Sequence, residues 1–118
     1  AGVEAEIIEL TYHGKAYTGK EYSSEKYFRT WVMDEHSEIV DAAVKTYKEV
    51  FGSDPKVDKW NFSTNGVATA GLFKIPTVGF GPANEIYAHG INDQAPVDHL
   101  VKAAAFYAYF PQKILKKG

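Results

Sequence analysis

The order of apolar segments after Gly52 limits the folds open to this chain more than any other feature of its sequence. Strand-like residues 56–62 and 75–80 alternate with a short helix predicted over residues 64–73 and a longer helix that begins at Pro96. This order favours an α/β layer with parallel strands. A parallel sheet buries both faces and needs more than two strands, so we expect this region to be the edge of a larger fold.

The chain before Gly52 divides into three parts. Residues 3–12 alternate as a strand does, but both faces carry apolar groups, which indicates a strand of a larger sheet. Residues 13–36 are rich in aromatic and small polar residues without a sustained period, and we interpret them as a crossing between two domains. A helix is predicted from Ser37 to Phe51, with Gly52 as its C-terminal cap.

The last helix is expected to bury one apolar stripe. The members of the stripe recur at three- and four-residue steps, and they are Val97, Leu100, Val101, Ala104, Ala105 and Ala108. Pro96 suits the first turn of this helix, and Pro111 is expected to end or kink it.

Composition excludes several classes of function. The 118 residues suffice for one compact domain, and a net charge of −2 gives no reason to expect a nucleic-acid or anionic-membrane partner. The absence of cysteine removes disulfides and thiolate metal sites, and no apolar run approaches the length of a membrane span. A cytoplasmic protein fits these facts. The sequence begins with Ala1, and its only methionine is Met33, so we expect either a processed start or part of a longer protein.

The densest polar cluster surrounds His89, just past the end of the predicted strand 75–80, where open α/β sheets place their ligands. Small neighbours leave the imidazole of His89 uncrowded, and Glu85 and Asp93 lie four residues to either side. A catalytic zinc site needs three protein ligands and an open position, and this cluster offers two at best. The alternative is a solvated loop histidine, and His13, His36 and His99 are weaker candidates still.

A second polar cluster stands at the junction between the first predicted strand of this region and the short helix. Its members are Ser63, Thr64, Asn65 and Gly66, called the 63–66 loop below. Free backbone N–H groups at a helix start favour an anion, so a substrate carboxylate or oxyanion would suit this position. The alternative is an ordinary helix cap, for which serine, threonine and asparagine are preferred residues.

These motifs together resemble a known family. The Phe-Ser-Thr-Asn-Gly run at 62–66, the Gly-Leu-Phe-Lys-Ile-Pro-Thr-Val-Gly-Phe-Gly-Pro run at 71–82 and Ala-His at 88–89 occur at consistent spacing. The chain resembles the C-terminal portion of the metal-dependent aminoacylase, carboxypeptidase and succinyl-diaminopimelate desuccinylase family, closest to its selenium-metabolism hydrolase branch.

The resemblance implies an α/β catalytic domain that holds two metal ions, usually zinc, and an α+β lid domain that often dimerises. Residues 1–12 would be the last strand of the lid, residues 13–36 the interdomain crossing, and residues 37–118 the C-terminal part of a zinc-peptidase-like α/β catalytic domain. His89 matches the family's C-terminal metal ligand, and the 63–66 loop matches the loop that faces the substrate. Asn65 stands where many relatives have Asp, and Asn92-Asp93 stands where they have Asn-Glu or Asp-Glu.

The chain lacks other residues that the family uses. It contains no His-x-Asp motif and no Glu-Glu pair, which supply the remaining ligands and the general base in an N-terminal half. The chain is therefore expected to be an inactive fragment of a hydrolase for amide bonds of N-acyl amino acids or small peptides. Its expected partners are the N-terminal portion, that substrate, and a further copy in a homo-oligomer. The alternative is a non-catalytic interaction module that oligomerises.

Overall fold

The computed structural model describes residues 2–115. The regular elements are strands β1 (Thr11–Lys15) and β2 (Glu21–Glu25), helix α1 (Glu38–Phe51), a π-helix (Val67–Leu72), a 3-10 turn (Glu85–Tyr87) and helix α2 (Val97–Leu115). The chain is thus a mixture of helix and sheet, as the predicted α/β class requires. No helix within residues 2–115 is both long and apolar enough to cross a membrane.

Strands β1 and β2 form an antiparallel hairpin. Lys15 stands opposite Glu21, so opposite charges face each other beside the turn. Gly19 has a φ of 88°, a backbone conformation that glycine adopts without strain, and its N–H donates to the carbonyl of Ala16. The rings of Tyr12 and Tyr22 lie 5.8 Å apart and cover one face of the hairpin.

This hairpin corrects two predictions. The strand expected over residues 3–12 starts only at Thr11, and the stretch interpreted as irregular contains the rest of β1 and all of β2. An extended segment becomes a strand only where a neighbouring segment supplies hydrogen bonds. The last hydrogen bond between the two arms of the hairpin joins Lys26 N–H to the Leu10 carbonyl, so the residues before Leu10 have no partner strand within residues 2–115. Short polar strands with a glycine-containing turn carry no strong periodicity.

Helix α1 follows its prediction. Gly52 ends it in the left-handed conformation with φ 70°, and its N–H donates to the Lys48 carbonyl. Val40, Ala42 and Thr46 are buried along the helix, and the Thr46 hydroxyl donates to the Ala42 carbonyl at 2.8 Å. That hydrogen bond lets a hydroxyl be buried without leaving a polar group unsatisfied.

Helix α2 buries a different face from the predicted one. Ala103 and Phe106 are buried and Phe110 is partly buried, whereas the predicted stripe includes Val97 at 75% and Val101 at 66% exposure. The helix also continues through Pro111 to Leu115 instead of ending there, and Gln112 Nε2 donates to the Ala108 carbonyl near that position. A helix that is apolar on both sides belongs in the interior of a larger fold, which explains why periodicity alone chose the wrong face.

The core lies between the two long helices and is mainly aromatic. Phe80 stacks on Phe106 with ring centroids 4.0 Å apart, and the rings of Tyr47 and Phe51 on α1 pack around Phe80. The Tyr107 hydroxyl donates to the Phe80 carbonyl, which fixes the backbone as well as the ring. Phe80 therefore joins the end of segment 75–80 to both helices.

The predicted parallel strands do not form within residues 2–115. The one sheet there is the antiparallel hairpin, and residues 56–62 and 75–80 make no ladder with each other. The short helix predicted over residues 64–73 is present as the π-helix Val67–Leu72. The two segments carry strand-like sequences, but each needs a neighbouring strand that this part of the chain does not supply.

The described chain is far more open than a domain of its length. Its radius of gyration is 18.9 Å, against about 13.5 Å for a compact domain of 118 residues. Its accessible surface is 9961 Å², whereas a compact monomer of this mass exposes about 6,400 Å². The chain therefore exposes about 3,600 Å² more surface than a compact monomer. Much of this surface is apolar, since more large hydrophobic residues are exposed than buried.

Candidate metal and substrate site

A line of aromatic rings leads from segment 56–62 to His89. Trp60 stacks on Phe62 with centroids 5.8 Å apart and an interplanar angle of 12°. The Phe62 ring then meets the imidazole of His89 edge-on at 6.3 Å and 88°. Residues 60 and 62 point to the same side, as alternate residues of an extended segment do. This line supports one side of the imidazole.

The backbone at His89 is in the left-handed region, with a φ of 60°. Asn84 caps the preceding 3-10 turn by accepting from Ile86 N–H, and Gly90 N–H donates to the Tyr87 carbonyl at 3.1 Å. These two turns place His89 at an exposed corner of the chain. Histidine adopts a positive φ more often than most residues do, and Lys74 and Ala83 share this conformation, so the φ of His89 does not by itself mark a functional site.

Glu85 and Asp93 do not complete a metal centre with His89. No group of three or more histidine and carboxylate side chains within residues 2–115 is arranged to hold a metal ion. Nearby, Lys56 pairs with Asp58, and the hydrogen bond and charge of Asp58 raise the pKa of the Lys56 ammonium group, with a smaller contribution from the charge of Glu85. The pKa of Asp58 is lowered, first by the hydrogen bond from Lys56 and then by that from Lys59 N–H.

The 63–66 loop leads directly into the π-helix. Thr64 Oγ1 accepts from Gly66 N–H at 3.1 Å, and the Thr64 carbonyl accepts from Val67 N–H at 3.0 Å. Gly66 is buried. Thr64 thus supports the turn before the π-helix, but the N-cap of this helix is Gly66, and no side-chain hydrogen bond caps it. The side chains of Ser63 and Asn65 are exposed.

Trp31 contacts Gly66 of this loop, and Arg29 contacts Gly71 of the π-helix that follows it; these contacts were not predicted from the sequence. A Cβ atom on Gly66 would lie 2.1 Å from the Trp31 ring, and one on Gly71 would lie 2.9 Å from Arg29 Cβ. Both glycines are needed for this close approach.

Comparisons with known proteins decide the family. The model of Peptidase family M20/M25/M40 matches residues 6–113. The chain belongs to this family. It is 46% identical over 107 residues to the uncharacterized protein YgeY of Escherichia coli (strain K12), and equally to YgeY of Escherichia coli O157:H7. The match covers 91% of this chain and 27% of each relative, so the chain spans about a quarter of their length. No solved structure gave a significant match.

Family membership confirms the resemblance inferred from the motifs, and this family is one of metal-dependent peptidases. The donors in residues 2–115 fit a single ligand of such a centre and not a whole centre. His89 is exposed, but a catalytic zinc site needs three protein ligands, and no group of three donors within residues 2–115 is arranged around one ion.

Proposed function

We propose that this chain is the C-terminal part of the catalytic domain of a metal-dependent hydrolase that cleaves amide bonds in N-acyl amino acids or small peptides. By itself it is inactive, because it offers one credible metal ligand. The observation that carries the proposal is the position of His89, an exposed histidine with one side against the Phe62 ring, in a chain of this peptidase family.

The open surface of the chain supports a missing portion. Helix α2 carries Val97, Leu100 and Val101 on an exposed apolar face, opposite the one that packs on α1. Burying such a face is favourable by about 25 cal/mol for each Å² of apolar surface removed from water. The excess surface of about 3,600 Å² exceeds what one partner of a standard protein interface buries, about 800 Å², by several-fold. It fits the rest of a domain better than a transient partner.

The proposed roles follow from the two parts of the site. His89 would supply one imidazole ligand, zinc being the expected metal with two ions in the whole protein. A bound zinc ion polarises a carbonyl and lowers the pKa of water. Ser63 and Asn65, exposed at the start of the π-helix, would bind the carboxylate or the developing oxyanion of the substrate. Thr64 and Gly66 would hold the loop in place through their hydrogen bond.

A second candidate function is a non-catalytic module that forms homo-oligomers. The exposed face of α2 and residues 3–9, which form no strand, favour it, since a second copy could cover both. Sedimentation of the isolated chain separates the two proposals. A stable oligomer that hides these residues supports the module, whereas a chain that remains open until the missing portion is supplied supports the hydrolase.

The experiment that tests the hydrolase restores the missing portion. This chain replaces the matching segment of YgeY, and the chimera is assayed with zinc on a panel of N-acyl amino acids and dipeptides. We expect activity in the chimera and none in the isolated chain. His89→Ala should lower kcat/KM by roughly 100-fold or more, because a ligand is lost.

The matched control is His36→Ala. His36 is exposed like His89, but it lies in a turn held by Asp34, before α1. We expect this variant to keep full activity. Equal activity of the His89→Ala variant and the unaltered chimera would remove the metal role of His89.

A further inference from the structure

The contact between Trp31 and Gly66 joins two parts of the chain that are 35 positions apart in sequence. Gly66 is buried and has no side chain, and the ring atoms of Trp31 occupy the place where one would start. Two residues before Trp31, the backbone oxygen and Cβ of Arg29 occupy the same place at Gly71. Arg29 and Trp31 of segment 29–33 therefore both lie against the π-helix and its start.

The spacing of these contacts makes the packing specific. An extended segment advances about 3.3 Å per residue, so Arg29 and Trp31 are about 6.6 Å apart. Gly66 and Gly71 differ by five residues, the hydrogen-bonding step of a π-helix, and Phe73 N–H donates to Ala68 with this same step. Each glycine thus meets one residue of the extended segment, and a shift of either partner by one residue would lose both contacts.

The other supports of the 63–66 loop are local hydrogen bonds. Gly66 N–H donates to Thr64 Oγ1, and the carbonyls of Thr64 and Asn65 accept from backbone N–H groups of the π-helix. The side chains of Ser63 and Asn65 are exposed. Further along the π-helix, the Thr77 hydroxyl donates to Thr69 Oγ1 and so fixes the middle of the helix, not its start. The indole of Trp31 is the large side chain packed directly on the first turn.

We propose that Trp31 is a positioning residue for the 63–66 loop, so that the placement of this loop depends on the placement of segment 29–33. The role of the loop in binding substrate rests on the proposed function. A movement of the residues before Trp31 would then displace Ser63 and Asn65 through the contact between the Trp31 indole and Gly66.

The test uses amide hydrogen exchange and NMR chemical shifts of the 118-residue chain, with no metal or substrate. The reporters are the amides of Gly66, Val67 and Ala68, each of which donates a hydrogen bond in the first turn. We expect Trp31→Ala to lower their protection roughly tenfold, as loss of local packing does. Trp31→Phe should restore part of it, because a ring still covers Gly66. Amides of α1 should be unaffected in both variants.

A second pair of variants exploits the close contact. Gly66→Ala places a methyl group against the Trp31 ring and should shift the reporter amides strongly. The same substitution in the Trp31→Ala background should shift them less, because the opposing ring is absent.

The matched control is Trp60→Ala. Trp60 covers Gly79 as closely as Trp31 covers Gly66, with ring atoms 2.2 Å from the Cβ position. Its loss should leave Gly66, Val67 and Ala68 unchanged. These reporters are chosen over Ser63 because Trp60 stacks on Phe62, the neighbour of Ser63.

The proposal is overturned by unchanged reporters in Trp31→Ala, or by equal loss of protection in α1 and at the reporters. Equal effects of Trp31→Ala and Trp60→Ala would also overturn it. Since the readout needs no catalysis, a negative result leaves the proposed hydrolase untouched. Conversely, an inactive chimera would leave a positive result on Trp31 in place.

Discussion

The helix pair and the N-terminal arm of this chain differ in what they pack against. Helices α1 and α2 enclose Phe80 and Phe106 in an aromatic core. The arm, residues 2–28, has its hairpin as its regular structure, and Ile7 and Phe28 are exposed by 96% and 68%. Both regions are rich in apolar residues. An apolar composition alone therefore does not form a core: an apolar surface becomes buried only where a second apolar surface packs against it.

We therefore expect the helix pair to provide most of the stability of the isolated chain, because the arm leaves its apolar side chains exposed. The hairpin is antiparallel and two-stranded, a structure that is marginally stable by itself. Substitutions should then have large effects in the helix pair and small effects in the arm.

The largest expected effect is that of Phe106→Ala. This side chain is 2% exposed, and removing a buried phenylalanine costs about 3–5 kcal/mol through lost burial and the cavity left behind. Urea denaturation measures the change in the free energy of unfolding. Phe28→Ala, in the arm, is the control and should change it by less than about 0.5 kcal/mol. A costly Phe28→Ala would contradict the comparison, because it would place part of the core in the arm.

A smaller effect is expected for Gly52→Ala at the end of α1. Its φ of 70° is unfavourable for alanine, so the free energy of unfolding should fall by about 1 kcal/mol. Gly81→Ala is the control, since a methyl group there meets no neighbour within 4 Å. Thermal unfolding of the two variants gives the comparison. A neutral Gly52→Ala would mean that α1 does not need this cap.

The sequence predicted local features of the helix pair well. Gly52 was identified from its position after an apolar helical pattern, and α1 and the start of α2 lie where periodicity placed them. Phe62 precedes the 63–66 loop and contacts His89, so the two parts of the predicted site lie in one region, but their roles stay predictions.

The features that depended on distant partners were predicted poorly. The buried face of α2 could not be chosen from a helix that is apolar on both sides, and the strands over 56–62 and 75–80 have no neighbour within residues 2–115. The contact of Trp31 with Gly66 lacked a local signal, since it joins an irregular segment to a helix start. The domain limits at residues 12 and 36 stay predictions.

Tyr107→Phe tests the link between α2 and segment 75–80. The hydroxyl donates to the Phe80 carbonyl, and a net hydrogen bond at a partly exposed site contributes about 0.5–1 kcal/mol. Tyr109→Phe is a control with the same 53% exposure. Denaturation with urea should show a loss for Tyr107→Phe alone. Equal losses would indicate that the hydroxyl of Tyr107 contributes nothing to the helix pair.

The smallest effect is expected for the ion pair between Lys113 and Glu49, which joins the end of α2 to α1. Both side chains are partly exposed, so a double-mutant cycle with alanine at each position should give about 0.5 kcal/mol or less. The coupling should decrease in 1 M salt, because salt screens exposed charges. A coupling that is large and independent of salt would show that this end of the helix pair is more deeply buried.

A zinc titration of the isolated 118-residue chain by calorimetry near neutral pH tests most directly whether this chain provides one metal ligand or a whole centre. We expect no tight, stoichiometric zinc site, because His89 is the one credible ligand and no cluster of donors surrounds it within residues 2–115. One tightly bound zinc ion per chain, lost in His89→Ala, would contradict the account and show that this chain builds a complete centre alone.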